Sequence, residues 1–431
     1  MITVGLDFGT HQTKVCIESK EGVELNYTFM KFEDTYHRLF YTLPSIVGVG
    51  KDGLLSYGYL PRRYDGRIIR YFKQSTFRPS ETGMTQVNAM YFSTWYLAYI
   101  LFDLEEMYGQ EFTIQMGAPT DSSHVDNVKN IATRIIVSAY RLVEDVFAND
   151  KQKYLATPMK ELVDMTEIIA YSKEIKDEYG LLVFPEAYAC LKPLINQGKL
   201  AKGMSLMIDI GGGTTDISFF TIENKKPQVY DFFSINKGLN FLTGANENNQ
   251  IEKVVNVQDA SEINKGRRNI LINEIQQVCN NIWYKLVSEF KEQTDLETYR
   301  LTDALKNRPL VYCGGGSTFK SLRVYYSNYK DIKLISHKEW NIRSIMDIDE
   351  IIDKGLCPIL STAYGLAISV ENDNISMKPF KDIFEKIRCS EEEFEEDSYK
   401  YKKKSKNKRT WGGFGSAYGG FSYSDDYDAW K

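Results

Sequence analysis

Two stretches of the chain share one pattern of apolar and polar positions. Residues 2–6 and 204–208 are mostly apolar, as expected for buried strands, and each run leads into an aspartate, Asp7 or Asp209. A few Gly and Thr residues follow each aspartate, and β-branched and aromatic residues then resume. Apolar runs on both sides of a short glycine-containing turn are typical of β-hairpins. The pattern therefore predicts two hairpins, far apart in the chain, whose tips carry little side-chain bulk.

The segments between and after the hairpins predict an alternation of helices and strands. Apolar residues recur at helical spacing over residues 88–108, 122–147, 156–179 and 273–292. Buried strands are predicted over residues 43–49, 112–119 and 310–313. Helices rich in small residues are predicted to begin near Pro185 and Pro358. This order of elements predicts an α/β protein.

The hairpin tips have the chemistry of a phosphate site. Glycine backbone lets a phosphate approach closely, and successive N–H groups can form an anion cradle. Asp209 and Asp216 flank the second tip, where carboxylates can hold the water shell of a Mg²⁺ ion. Taken alone, the second tip could also be a tight glycine turn with incidental acids. The repeated layout favours two similar domains that face one nucleotide.

Composition and charge limit the function classes. With 431 residues the chain is long enough for two or more domains, and 43% hydrophobic and 26% charged residues are typical of a globular protein. A net charge of −5 argues against a broad nucleic-acid-binding surface. The 6 cysteines are scattered and only 4 histidines are present, so a zinc site is not expected. No signal peptide or membrane span is evident, and we expect a cytoplasmic location.

The order of these motifs resembles the superfamily of actin, the sugar kinases and the heat-shock-chaperone ATPases, and is nearest the chaperone nucleotide-binding domain. The resemblance covers roughly residues 1–370 and includes Pro185–Ala187, the glycines at 314–316 and the small-residue segment 363–367. The resemblance implies that the small residues at 187–189 and 363–367 let two helices cross closely, and that a helix follows the glycines at 314–316. It implies two ribonuclease-H-like (actin-type) α/β ATPase domains with a nucleotide cleft between them.

The same resemblance divides the chain into three parts. The first domain would span residues 1–190 and the second residues 191–385, with the last helix packing back on the first domain. Residues 386–431 are of low complexity, and we expect a disordered tail. The tail would either keep the protein soluble or capture a partner through its aromatic residues.

The resemblance also implies a set of site residues for ATP or ADP with Mg²⁺. The residues assigned to catalysis are Lys73, Glu186, Asp209 and Asp7. The residues assigned to the hydrated metal are Asp7, Asp209 and Asp216. The residues assigned to phosphates and nucleoside are Gly9, Thr10, His11, Thr13, Gly211, Gly212, Gly213, Thr214, Glu262, Lys265, Gly315, Gly316, Ser317 and Phe319.

Several of these assignments have a second interpretation. Hydrolysis of the terminal phosphate needs a cation close to it, and the resemblance assigns this role to Lys73. The basic residues that compete with it are Arg62, Arg63, Arg67 and Arg70. Glu186 could simply be an acid at a helix start. Glu262 and Lys265 have the spacing of ribose-binding residues or of a surface ion pair.

Four departures from the chaperone pattern bear on function. His11 replaces a small hydroxyl residue in the first tip, where it could contact the terminal phosphate or slow hydrolysis. Phe319 stands where the chaperones stack an arginine on adenine, and aromatic stacking could substitute. We expect no peptide-binding β-domain after residue 370, and the segment 238–314 is short, as in the bacterial actin-like proteins.

These features predict an ATP-binding, ATP-hydrolysing, chaperone-like protein whose domain closure follows its nucleotide state and acts on a protein partner. The alternative is an actin-like ATPase that self-assembles into filaments. A small-molecule kinase is disfavoured because no substrate-binding insertion with a catalytic base is evident. Binding of nucleic acid is not expected.

Overall fold

A computed structural model describes fourteen parts of the chain. They are residues 2–22, 24–79, 83–109, 112–119, 125–169, 176, 179–198, 200, 203–223, 226–244, 263–290, 310–322, 334–336 and 344–370. The predicted tail and Glu262 lie outside these residues, and the predicted domain boundaries stay predictions.

Strands and helices alternate as the sequence predicts. The strands are β1 (Ile2–Asp7), β2 (Gln12–Glu21), β3 (Glu24–Phe29), β4 (Phe32–Glu33), β5 (Leu39–Phe40), β6 (Leu43–Pro44), β7 (Val47–Gly50), β8 (Leu55–Tyr57), β9 (Gly66–Ile69), β10 (Phe112–Ala118), β11 (Leu181–Pro185), β12 (Gly203–Ile210), β13 (Thr215–Glu223), β14 (Lys226–Ile235), β15 (Leu310–Cys313) and β16 (Leu334–Ser336). The helices are α1 (Phe72–Phe77), α2 (Gln86–Tyr108), α3 (Val125–Arg141), α4 (Lys151–Leu155), α5 (Met159–Ile168), α6 (Glu186–Asn196), α7 (Leu239–Thr243), α8 (Lys265–Phe290), α9 (Ile348–Asp353) and α10 (Cys357–Ala367).

Two sheets repeat one topology. The first has the strand order β11-β10-β1-β2-β3, and the second has the order β14-β13-β12-β15-β16. In each sheet a hairpin is extended by an antiparallel strand on one side and by two parallel strands on the other. The order 3-2-1-4-5 is that of a ribonuclease-H-like domain. The chain therefore contains two such α/β domains, as predicted.

The centre of each sheet is apolar because helices cover it. In β1 every residue from Thr3 to Asp7 is buried, which fits a central strand that lies between the parallel strand β10 and the antiparallel strand β2. Helices α2 and α3 pack on the first sheet, and the aromatic side chains of Trp95, Tyr96 and Phe72 fill the space between them. Helix α8 covers the second sheet with Leu271, Ile275 and Cys279.

Two helices, α6 and α10, each join the core of the other half. Helix α6 follows the first sheet in the chain, yet Leu191 packs with Met207 and Phe220 of the second sheet. Helix α10 follows the second sheet, yet Ala363 packs with Cys16 of the first. The two helices thus pass between the sheets and contact each other.

Glycine allows the crossing of α6 and α10 to be close. A Cβ atom on Gly365 would lie 1.9 Å from the carbonyl oxygen of Ala189. A Cβ atom on Gly5 of β1 would lie 2.2 Å from the backbone nitrogen of Ala367. The sequence predicted this contact from the small residues of both helices.

Some element boundaries differ from the predictions. The helix predicted over 122–147 is described from Val125, and its last turn, Leu142–Val146, is a π-helix. Of the helix predicted over 156–179, the described part is the shorter α5, Met159–Ile168, which begins directly after Pro158, while the separate helix α4 precedes the predicted segment. The helix predicted to begin at 273 begins earlier, at Lys265. Within the described ranges, no helix is both long and apolar enough to span a bilayer.

A buried acid on α2 gives the fold a pH dependence. Glu105 is 7% exposed, and burial together with the charge of Glu144 raises its pKa to about 7. A carboxyl group whose pKa is higher in the folded state stabilises the fold below its unfolded pKa, and that contribution is lost as the pH rises through the folded value. We expect the free energy of unfolding to fall by about 3 kcal/mol between pH 4.5 and 7 from this group.

Replacing the acid by its amide tests this expectation. Glu105→Gln should reduce the pH dependence of the free energy of unfolding, measured by urea from pH 4.5 to 8, by the contribution of this one group. Glu106→Gln changes an exposed residue of the same turn and should keep the pH dependence. An equal pH dependence in both variants would contradict the assignment to Glu105.

Candidate functional site

The tips of the two hairpins lie in direct contact. We call residues 8–11 the first tip and residues 211–214 the second tip. A Cβ atom on Gly212 would lie 2.4 Å from Cδ2 of His11, and one on Gly213 would lie 2.9 Å from Cγ2 of Thr10. Glycine at both positions therefore lets the tips approach each other.

Hydrogen bonds from neighbouring backbone and hydroxyl groups stabilise each tip. Ser45 Oγ donates to the carbonyl oxygen of Gly9 at 2.6 Å, and its N–H donates to that of His11 at 2.8 Å. The N–H groups of Leu239 and Asn240, at the start of α7, donate to the carbonyl oxygens of Gly211 and Gly212. These contacts fix the backbone of both tips.

Acidic residues meet where the strands enter the tips. In the register of the hairpins, Asp7 lies opposite Lys14 and Asp209 lies opposite Asp216. Lys14 Nζ lies 2.9 Å from Asp7 Oδ2. Thr214 Oγ1 donates to Asp216 Oδ2 at 3.2 Å.

The carboxylates of the site lie close enough to raise the pKa of one another. Burial raises the pKa of Asp209 well above its ordinary value, and Cys190 and the carboxylates of Asp216, Asp7 and Glu186 raise it further. Burial also raises the pKa of Asp216, although Ser234, Arg78, Lys73 and Thr214 oppose that shift. A bound cation would relieve this repulsion.

Lys73 and Glu186 form a buried ion pair beside the first tip. Lys73 lies in α1 and is 4% exposed, and its Nζ is 2.5 Å from Oε1 of Glu186, the first residue of α6. The same Nζ lies 5.7 Å from the ring centroid of Phe8. Burial raises the pKa of Glu186, Asp7 and Asp216 add to the shift, and Lys73 opposes it. Two residues predicted from separate motifs are thus in contact.

A third glycine turn lies under the second tip. Gly314 has φ 69°, and a Cβ atom there would lie 2.2 Å from Asp209 Oδ1. Gly316 packs on Ile210, where a Cβ atom would lie 2.3 Å from Cγ2. Gly315 is partly exposed. The predicted adenosine turn is therefore next to the acidic residues, although two short 3₁₀ turns follow it rather than the predicted helix.

Three predicted site residues face away from the tips. Thr13 is fully buried, and its hydroxyl lies 3.3 Å from that of Ser45, because inward positions of β2 face the core. Ser317 Oγ donates to the carbonyl oxygen of Gly314 and stabilises the turn. Phe319 is 6% exposed and packs in the core of the second domain, and the stacking of its ring on adenine stays a prediction.

The predicted ribose pair is only partly described. Lys265 is exposed at the first residue of α8. Glu262 lies outside the described residues. The ribose contact stays a prediction.

Helix α1 carries contacts that the sequence did not predict. Tyr71, in the left-handed region with φ 59°, has its hydroxyl 3.4 Å from Asn240 Nδ2. Gln74 Nε2 donates to Asn236 Oδ1 at 2.8 Å. These hydrogen bonds join the two domains beside the tips. The pairing of Lys14 with Asp7 was also missed, although counting residues across the first hairpin would have found it.

Comparisons with known proteins give structural likeness alone. The crystal structure of Ta0583, an archaeal actin homolog, is 14% identical with a TM-score of 0.44, over 85% of this chain and 98% of that one. MreB5 of Spiroplasma citri bound to ADP is 15% identical with a TM-score of 0.40, over 82% of this chain and 94% of that one. The same protein bound to AMPPNP is 15% identical with a TM-score of 0.41, over the same shares.

No protein-family model and no curated protein matches the sequence. The nearer resemblance to the chaperones rests on the sequence motifs alone.

Proposed function

We propose that the chain binds ATP or ADP with Mg²⁺ between its two hairpin tips and hydrolyses ATP. The observation that carries the proposal is the meeting of two glycine-containing tips in one place, with four carboxylates and a buried lysine around them. Bare backbone can approach phosphates, and the glycine turn at 314–316 offers a flat surface to the nucleoside.

The acidic residues suit a hydrated magnesium ion. Among the described residues, no three Asp, Glu, His or Cys side chains are placed to ligate one metal directly. Mg²⁺ usually keeps several waters and binds through phosphates and one or two carboxylates. Asp7, Asp209 and Asp216 would hold those waters, and the ion would neutralise charge on the phosphates.

Lys73 and Glu186 have the chemistry of the hydrolytic step. The ammonium group would stabilise negative charge that develops on the transferred phosphate. Glu186, the partner of Lys73, would orient the attacking water. Most of the catalysis of phosphate hydrolysis comes from such positioning and charge stabilisation.

Nucleotide state would act on shape through α6 and α10. Each helix joins the core of the other domain, and the two cross at Gly365, so rotation of the domains is centred on this contact. A protein partner would bind one of the two domain arrangements in preference to the other, as in a chaperone-like switch. In an actin-like filament, a second copy of the chain would do so instead.

Phosphate release from Mg-ATP, measured per molecule over a wide range of protein concentration, tests the proposal. We expect a slow, non-zero rate that requires Mg²⁺. A rate that is independent of concentration supports the switch, and a rate that rises above a threshold concentration supports self-assembly. Absence of phosphate release at every concentration would contradict the ATPase assignment.

A further inference from the structure

His11 fills the gap between the two tips. Its imidazole lies directly on Gly212, as the 2.4 Å distance from Cδ2 to an added Cβ atom shows. On another side, the ring meets Tyr71 edge to face, with 5.6 Å between the ring centroids. The ring is therefore held between a residue of the first domain and the backbone of the second.

The buried imidazole leaves one of its ring nitrogens without a hydrogen bond to the described residues. Its Nε2 is buried and makes no hydrogen bond with the described residues, which costs free energy in either tautomer. Burial and the charges of Arg70 and Lys14 lower the pKa of His11 to about 3, so the ring is neutral. The ring is thus a neutral group between the two tips, close to Arg70 and to Lys14, which is itself paired with Asp7.

A chain of phosphates between the tips would need this space. Residues 9–11 and 211–214 are the segments that can cradle phosphates, and they touch through Thr10, His11, Gly212 and Gly213. A triphosphate is longer than a diphosphate by one phosphate, and the gap between the tips is where that group would interact with both. In the structure, the imidazole occupies this gap.

We propose that His11 determines the preference of this chain for nucleoside diphosphate over triphosphate. The inference rests on the proposed nucleotide site. The imidazole of His11 occupies the space that the terminal phosphate of a triphosphate would take. A diphosphate therefore binds while the ring stays in this position. A triphosphate binds only when the ring has moved from Gly212.

A role of His11 as a ligand of the terminal phosphate predicts the opposite change in the binding of triphosphate. If Nε2 bound the terminal phosphate as a ligand, removing the imidazole would weaken the binding of triphosphate. If the ring blocks that phosphate, removing it strengthens the binding. The sign of the change therefore distinguishes the two roles.

The test measures the dissociation constants of ADP and of AMPPNP, both with Mg²⁺, for the full chain and three variants. His11→Ser and His11→Ala remove the ring, and His11→Phe keeps a ring of similar size without its nitrogens. We expect the ratio of the AMPPNP constant to the ADP constant to fall at least about tenfold in the Ser and Ala variants. ADP binding should stay within about threefold, and the Phe variant should keep the ratio of the unmodified chain.

A histidine far from the tips supplies the matched control. His37 is 89% exposed and contacts Glu33, so His37→Ser should leave both constants unchanged. An unchanged or higher ratio in the Ser and Ala variants, with ADP still bound, would overturn the role of His11 alone. Failure of every form, including the His37 variant, to bind either nucleotide would overturn the proposed site as well.

Discussion

Replacing Lys73 by methionine is expected to lower the rate of ATP hydrolysis by at least about a hundredfold. Methionine keeps most of the side-chain volume in a position that is 4% exposed, but it removes the ammonium group next to the first tip. Removing one preorganised donor from a developing negative charge typically costs 10²–10³ in rate. Single-turnover phosphate release from Mg-ATP measures the effect directly.

The same substitution should also weaken the fold. Lys73 Nζ and Glu186 Oε1 are 2.5 Å apart, and loss of the cation leaves a carboxylate in a site already crowded by Asp7 and Asp216. Breaking a buried pair by removing one partner typically costs about 3–5 kcal/mol. We expect a loss of this order in the free energy of unfolding, measured by urea at neutral pH.

A double variant separates the catalytic and structural effects. Lys73→Met combined with Glu186→Leu removes both charges and should recover most of the stability without recovering hydrolysis. Lys51→Met disrupts an exposed pair with Asp65 and should change neither quantity. Hydrolysis within about fivefold of the unmodified rate in the Lys73 variant would move the catalytic role to another cation, with Arg70 the first to examine.

The hairpins and the crossing helices could be predicted because their signals are local. An apolar run that ends on Asp7 or Asp209, followed by glycine, specifies both the strand and the turn. Small residues in the segment 187–189 and at Gly365 indicate a close helix contact in the same way. In each case the backbone has room only for a residue of that type, so the residue indicates the local structure.

Side-chain direction could not be predicted in this way. Phe319 has the right position in the sequence for a stacking residue, but the chain after Gly316 forms short 3₁₀ turns that direct its ring into the core. Thr13 lies on a strand whose alternate residues face opposite sides, and one residue of register decides which side that is. Both outcomes depend on packing that the local sequence does not contain.

The contacts between the domains were the hardest to predict. His11 could be recognised as an unusual residue in the first tip, but its contact with Gly212 joins segments about two hundred residues apart. Gln74 and Asn236, which are also in contact, are 162 residues apart in the chain. Such pairs arise from the arrangement of two complete domains, which a pattern in one segment cannot specify.

Replacing Gly365 by alanine is expected to destabilise the protein by at least about 3 kcal/mol. The added Cβ atom would lie 1.9 Å from the carbonyl oxygen of Ala189 and 3.2 Å from Cδ of Pro193. The first of these atoms is backbone within α6, so the clash is relieved only if α6 and α10 move apart. Since each helix also belongs to the core of the other domain, that movement disturbs both cores. Urea unfolding measures the loss.

Gly266→Ala is the matched control for this change, because Gly266 is an exposed glycine in the first turn of α8. The nearest atom to its added Cβ is Asn264 Oδ1 at 3.3 Å, the end of a side chain that can rotate. Alanine favours helix over glycine by up to about 1 kcal/mol, so this variant should be as stable as the unmodified chain or slightly more stable. A loss at Gly365 within about 0.5 kcal/mol of that control would mean that the two helices can separate freely. In that case their crossing could not transmit nucleotide state between the domains.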